Sequence, residues 1–228
     1  MAALYRDIRI RLAYLQPAEI RPGLVEVMTT TPGVARYFDL SFQHASRSVL
    51  RRMKRFGGTE DFLALIESIR RGAPEAGIRT NVIVGFPGET EQDLAILADF
   101  LEQAQLDAVG VFGYSDEDGT AAAEFDDKVP PYVVAERVEV ISTLVADLSD
   151  QRADTRIGSE ISVLVEAVRE DDNVAGTFGT NRAVGRAEHQ GPEDGETVVL
   201  MTDRPRIGQV IRATIMQTAG VDLVAQGV

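Results

Sequence analysis

The chain has 228 residues, 44% of them apolar, enough for one large domain or two ordinary ones whose cores need no covalent staples. Its formal charge of −13 disfavours a polyphosphate partner unless a local basic patch overrides it, and favours a basic one. Cysteine is absent, which excludes disulfides, thiolate zinc sites, iron–sulfur ligation and cysteine nucleophiles within these residues.

At the N-terminus Arg6, Asp7, Arg9 and Arg11 stand where a signal peptide is apolar, and no apolar run approaches the ~18 residues of a membrane span, so a cytoplasmic location is expected. "IRIRLAYL" (8–15) reads as a strand, "RPGLVEVMTT" (21–30) as a short helix with Pro22 in its first turn, and "RYFDLSF" (36–42) as a second strand. "SVLRRMKRF" (48–56) and "TEDFLALIESIRR" (59–71) read as helices, the second with Phe62, Leu65, Ile66 and Ile69 on one face. "IRTNVIVGF" (78–86) is the third strand. A helix over 91–105 follows, with Thr90 placed to cap it and Asp93 at capping-box spacing. "LDAVGVFGY" (106–114) is the fourth strand. After Pro130-Pro131 a long helix runs to about 153 with Val134, Val138, Ile141, Val145 and Leu148 in one stripe. Strands separated by helices imply right-handed βαβ units and a parallel sheet, and four strands are too few to close a barrel.

From Ile157 the texture changes to short segments, "EISVLVEAV", "AGTFGTNRAVGRA", "ETVVLMTD", "GQVIRATIMQ" and "VDLVAQ", punctuated by Gly176, Gly179, Gly185, Gly195, Gly208 and Gly220. About five antiparallel strands in a small OB-like barrel are expected, with domains 1–156 and 157–228.

In parallel α/β architectures ligands bind beyond the carboxyl ends of the strands. Those ends carry Gln43 and His44, then Gly85, Pro87, Gly88 and Glu89, then Tyr114, Ser115, Asp116, Glu117 and Asp118. Glycine at 85 and 88 permits close backbone approach or positive φ, and Glu89 can accept from helical N–H groups or from a ligand. An ordinary tight turn with an acid favouring the helix dipole explains the same spacing. The two histidines, His44 and His189, fall in different domains, so no histidine metal cluster is expected. No G-x-S-x-G elbow supports a hydrolase. A carboxylate lyase would need paired acids at neighbouring strand ends, and only Glu89 and the 116–118 run are available.

Taken together, "YFDLSFQHASRSVLRRMKRFG", "IRTNVIVGFPGETEQDL", "VGVFGYSDEDGTAAA" and "VGRAEHQGPEDGETVVL…GQVIRATIMQTAGVDLVAQ" resemble, in order and spacing, the radical S-adenosylmethionine methylthiotransferases with their C-terminal TRAM module. The resemblance covers nearly the whole chain. It implies the C-terminal part of a partial parallel (βα) barrel followed by the small β-barrel, with S-adenosyl-L-methionine and 4Fe-4S clusters as cofactors. One branch of the family modifies an aspartate of a small-subunit ribosomal protein and another an adenosine of tRNA. Gln43-His44-Ala45-Ser46, the acids before Gly119-Thr120, and "EHQGPEDG" (188–195) match the ribosomal-protein branch. Residues 157–228 hold eleven acids against six arginines, a balance that favours a basic protein over RNA.

By resemblance, Gln43, His44, Gly85, Pro87, Gly88, Glu89, Tyr114 and Ser115 line the cofactor mouth, while Asp116, Glu117, Asp118, Glu188, His189 and Gln190 meet the substrate. The cluster-binding CxxxCxxC loop of the family is absent, so the chain corresponds to part of a longer enzyme lacking its N-terminal part and is expected to be inactive alone. The first strand would then present a bare sheet edge. The alternatives are the tRNA enzyme and a non-catalytic fragment acting as a binding module.

Overall fold

Strands alternate with helices in the first part of the chain in the computed structural model, which describes residues 8–170 and 181–228. Strands β1 (Ile10–Leu15), β2 (Val34–Gln43), β3 (Gly77–Val84) and β4 (Ala108–Gly113) form one parallel sheet in the order β1-β2-β3-β4. Helix α1 (Pro22–Thr30) connects β1 to β2. Helices α2 (Arg47–Arg52) and α3 (Thr59–Gly72) connect β2 to β3, and α4 (Glu91–Ala104) connects β3 to β4. Helix α5 (Pro131–Asp154) follows β4.

Alternation fixes which face of the sheet is covered. Ile78, Thr80, Val82 and Val84 of β3 are buried, while Arg79, Asn81 and Ile83 between them are only partly so. A single apolar core gathers Phe38, Leu40 and Phe42 of β2, Val82 and Val84 of β3, and the inward stripes of α1, α3, α4 and α5. At its centre Phe42, Phe62 and Phe100 pack with ring centroids 4.5, 5.4 and 6.0 Å apart. The opposite face of the sheet carries Asp39, Arg79 and Asn81 and contributes nothing to this core. Strand β1 pairs with β2 alone and irregularly, and Tyr14 at its end is 77% exposed with φ 58°. Its outer edge bears no partner strand among the described residues.

The second part forms a closed five-stranded barrel from β5 (Glu160–Glu170), β6 (Asn181–Ala187), β7 (Thr197–Met201), β8 (Val210–Ala219) and β9 (Asp222–Gly227), in the order β5-β6-β7-β9-β8. The expected all-antiparallel pairing is corrected at one seam, where β7 and β9 run parallel from Thr197↔Leu223 to Leu200↔Gln226. The reason is parity, because strands that alternate in direction around a ring of five must leave at least one like-directed pair. The order matches an OB-like Greek key. Of the expected strand 175–187, the portion 175–180, with Gly176 and Gly179, lies outside the described residues.

The barrel docks on the amino ends of the sheet strands. Gly77 at the start of β3 sits so close to His189 that a β-carbon there would lie 2.0 Å from the His189 carbonyl oxygen. Tyr37 donates to Asp194 (2.6 Å), and Arg79 bridges Asp39 (3.1 Å) and Asp194 (3.0 Å). The carboxyl ends of the strands are therefore left free on the far side.

Candidate functional site

At those carboxyl ends lies a hollow of about 640 Å³, within the range of small-molecule sites. Gln43 from β2, Asn81 from β3, Phe112 from β4, and Tyr114 and Ser115 just beyond it all line this space, so three separate strand ends converge on it. Gln43 has φ 67°, a left-handed turn that re-aims the chain as it leaves β2.

Gly85-Phe86-Pro87-Gly88-Glu89, expected to line the cofactor mouth, is folded in on itself. Gly85 donates its N–H to both carboxylate oxygens of Glu89 at 2.9 Å, so the loop curls around its own acid. Arg137 of α5 reaches the same carboxylate at 2.8 Å, and His44 Nε2 lies 3.4 Å from it. The side chains of both His44 and Glu89 have no exposed surface. His44 Nδ1 accepts from the N–H groups of Ala45 and Ser46, each at 3.0 Å, so the ring proton sits on Nε2 facing Glu89. The pair joins the ends of β2 and β3 beneath the hollow. The two glycines are used for packing: a β-carbon at Gly85 (φ 75°) would meet Val134 at 2.5 Å, and one at Gly88 (φ 79°) would meet Asp127 at 2.6 Å and Arg52 at 2.7 Å. Pro87 contributes its carbonyl to Arg52 (2.8 Å). Phe86 packs edge-on to Tyr114 at 5.1 Å and forms the floor.

The acidic loop divides. Tyr114 donates to Asp116 (2.7 Å), which also pairs with Lys128, whose ammonium lies 5.4 Å from the Tyr114 ring centroid. Glu117 reaches the rim of the hollow, and Asp118 is exposed beside it.

Glu188, His189 and Gln190 are not at the hollow. Glu188 accepts from the N–H of Arg36 (3.2 Å), and His189 is buried in the joint between sheet and barrel. Gln190 ties the barrel together, accepting from Ala187 N–H (3.0 Å) and Thr197 (2.6 Å) and donating to Val221 (2.9 Å). Glu188 and His189 thus stand between the two parts, while Gln190 braces the barrel itself. Burial, reinforced by Arg156, pushes the His189 imidazole down to about 3. Asp107 in the same joint would be raised by burial, but Arg156 and Arg152 hold it below the usual carboxylate range.

Sequence reasoning passed over Asn81. Its side-chain oxygen is buried in the wall of the hollow with no hydrogen-bond partner. Two signals were available: an asparagine inside an apolar strand, and a glycine, Gly110, opposite it in β4. A β-carbon at Gly110 would lie 2.4 Å from that oxygen, so the glycine makes room for it. The oxygen itself has almost no exposed surface, so what this wall offers a ligand is the half-exposed Phe112 ring, a flat face that suits a nucleoside base.

Residues 5–101 match the model of the Radical SAM superfamily, and residues 157–228 match that of the TRAM domain. Over 221 residues the chain is 60% identical to "Ribosomal protein uS12 methylthiotransferase RimO" of Saccharopolyspora erythraea, covering 96% of this chain and 44% of that protein. The protein of the same name from Kineococcus radiotolerans is 55% identical, with 99% of this chain and 46% of the relative covered. The chain thus spans about half the length of the curated relatives it matches. Among solved structures, the coproporphyrinogen III oxidase HemN of Escherichia coli, described as a radical SAM enzyme, superposes with a TM-score of 0.54 at 18% identity, covering 63% of this chain and 33% of that one. That likeness concerns the fold of the α/β part.

Proposed function

We infer that this chain, a member of the radical SAM superfamily that ends in a TRAM domain, is part of a RimO-type methylthiotransferase acting on an aspartate β-carbon of ribosomal protein uS12. The observation that carries this reading is the hollow bounded by Gln43, Asn81 and Tyr114 at the carboxyl ends of parallel strands, in a chain so similar to enzymes of that name. The strand order runs without reversal and one core covers one face only, which supports a segment of a (βα) barrel whose polar inner face carries Asp39, Arg79 and Asn81. Residues 1–156 then belong to the barrel and 157–228 to the TRAM module.

S-adenosyl-L-methionine is the proposed occupant of the hollow, a reading supported by the volume of that space and by the exposed Phe112 ring; bound there in the whole enzyme, it would supply the hydrogen-abstracting group. This chain's own contribution is to hold it. Phe112 would offer a ring face, Gln43, Asn81 and Ser115 would add polar contacts, and Phe86 with Tyr114 would exclude water from below. His44, Glu89 and Arg137 would act as positioning residues that keep the ends of β2 and β3 in place. The 4Fe-4S clusters of such enzymes do not fit these residues: the sequence has no cysteine, and no group of three His, Cys, Asp or Glu is placed to hold a metal among the described residues.

The partner reading is tested by fluorescence anisotropy of the labelled chain with purified uS12 and, separately, with a tRNA anticodon stem–loop. Salt-sensitive binding of uS12 is expected, as for an acidic surface meeting a basic protein. Preferential binding of the RNA would transfer the chain to the tRNA-modifying enzymes.

A further inference from the structure

One wall of the hollow is strongly basic and comes from no strand end. From the last turn of α2 onward the chain reads Arg51-Arg52-Met53-Lys54-Arg55, four cations in five residues of a chain with net charge −13. Arg52, Lys54 and Arg55 all border the hollow. Two of them are already engaged. Arg52 holds Pro87 and faces Asp127, and Arg55 donates to Gln16 at 2.7 Å. Lys54 is exposed, and its ammonium has no partner among the described residues.

The backbone at Lys54 adds a second observation. Its φ is 56°. Arg55 N–H donates to Leu50 O at 2.7 Å and Lys54 N–H to Arg51 O at 3.0 Å, so α2 ends in a Schellman turn with Lys54 at the position glycine usually fills. A β-carbon is disfavoured there, and two glycines, Gly57 and Gly58, lie only a few residues on. A cationic side chain retained at a glycine position, in a cavity wall and unpaired, points to a ligand rather than to the helix end.

We propose that Lys54 determines specificity by receiving the side-chain carboxylate of the residue to be modified; the proposal rests on the uS12 reading above. Glu117 also borders the hollow and would repel a carboxylate placed beside it, which leaves the Lys54 wall as the favourable one. An uncharged asparagine in the same place would leave the ammonium unpaired in a partly dehydrated site. The competing source of a carboxylate is the methionyl end of S-adenosylmethionine, and the experiment separates the two.

The chain has only two lysines, Lys54 and Lys128, so reductive methylation with ¹³C-formaldehyde gives two side-chain NMR signals besides that of the terminal amine. Three probes are titrated: S-adenosylmethionine alone, a basic peptide bearing the uS12 aspartate, and the same peptide with asparagine. The aspartate peptide is expected to shift the Lys54 signal and leave Lys128 in place, with the asparagine peptide binding at least about tenfold more weakly. Lys54→Gly suits the left-handed turn, so it should keep or raise the melting temperature while abolishing the tenfold preference; Lys54→Arg should retain it. Equal affinity for the two peptides, no response of Lys54 to either, or displacement of its signal by S-adenosylmethionine alone overturns the proposal. If the asparagine and aspartate peptides bind equally while uS12 still binds, only the carboxylate subsite is lost. Binding of an anticodon stem–loop in place of uS12 and both peptides removes the wider reading together with the subsite.

Discussion

Glu89 and Asn81 lie within one strand and turn, yet their environments assign them opposite roles. Glu89 is enclosed by Gly85, His44 and Arg137, so its charge is consumed inside the protein. Glu89→Ala takes from the buried Arg137 one of its two carboxylate partners, leaving it Glu91 and the residue-89 carbonyl, and is expected to cost about 1–3 kcal/mol in urea unfolding. A loss of nucleoside affinity at unchanged stability would instead return Glu89 to the ligand wall. Asn81 has an acceptor that nothing satisfies. Asn81→Val removes it and adds a β-branched residue to a strand, so stability should rise by about 1 kcal/mol or more while calorimetric binding of S-adenosylhomocysteine is lost. The sequence displayed the turn, because Gly-x-Pro-Gly before an acid allows little else. It could not display the direction in which Glu89 points, since that depends on Arg137, 48 residues away, and on His44 from another strand end.

Local elements were legible where their signals are local. Thr90 accepts from Asp93 N–H (3.2 Å) while Asp93 accepts from Thr90 N–H (3.0 Å), the reciprocal cap implied by their spacing. Less visible was the reach of that cap. Asp93 also accepts from Ser46 and Ser48, each at 2.5 Å, tying the start of α4 to the start of α2. Burial alone would raise the Asp93 carboxyl, but the hydroxyls of Ser46, Ser48 and Thr90 outweigh it and hold it below the usual carboxylate range. Thr90→Ala should cost about 1–2 kcal/mol, read as a lower urea midpoint, with Thr90→Ser restoring most of it. The helix expected over 48–56 stops at Arg52 because Lys54 turns left-handed, a choice that lysine does not announce. The parallel β7–β9 seam was hidden for another reason: each strand's alternation is the same whichever way its neighbour runs, and only closure of an odd ring decides.

At the scale of the whole molecule, the barrel and the sheet are locked through polar groups that no periodicity reveals. "EHQ" at 188–190, expected by resemblance to meet the substrate, places Glu188 and His189 at the joint and Gln190 inside the barrel, a position its spacing does not announce. Gly77 is a point of very close approach, and Gly77→Ala should drive the His189 backbone away, separating the two parts in limited proteolysis. His189 makes the same joint sensitive to acid. It faces Asp107, Arg152, Arg156 and Arg11, and burial with Arg156 holds the imidazole at about 3 against an ordinary value near 6.5. Between those values the unfolded chain binds a proton that the folded chain refuses. The contribution is therefore complete above about pH 6.5 and falls by about 1.4 kcal/mol per unit as the pH drops toward about 3. Other groups add their own acid sensitivity, so the informative quantity is a difference: His189→Leu should lose stability less steeply than the parent between pH 6.5 and 4, by about that slope in urea titrations. Parallel slopes for the two proteins would mean that the imidazole takes up its proton without loosening the joint.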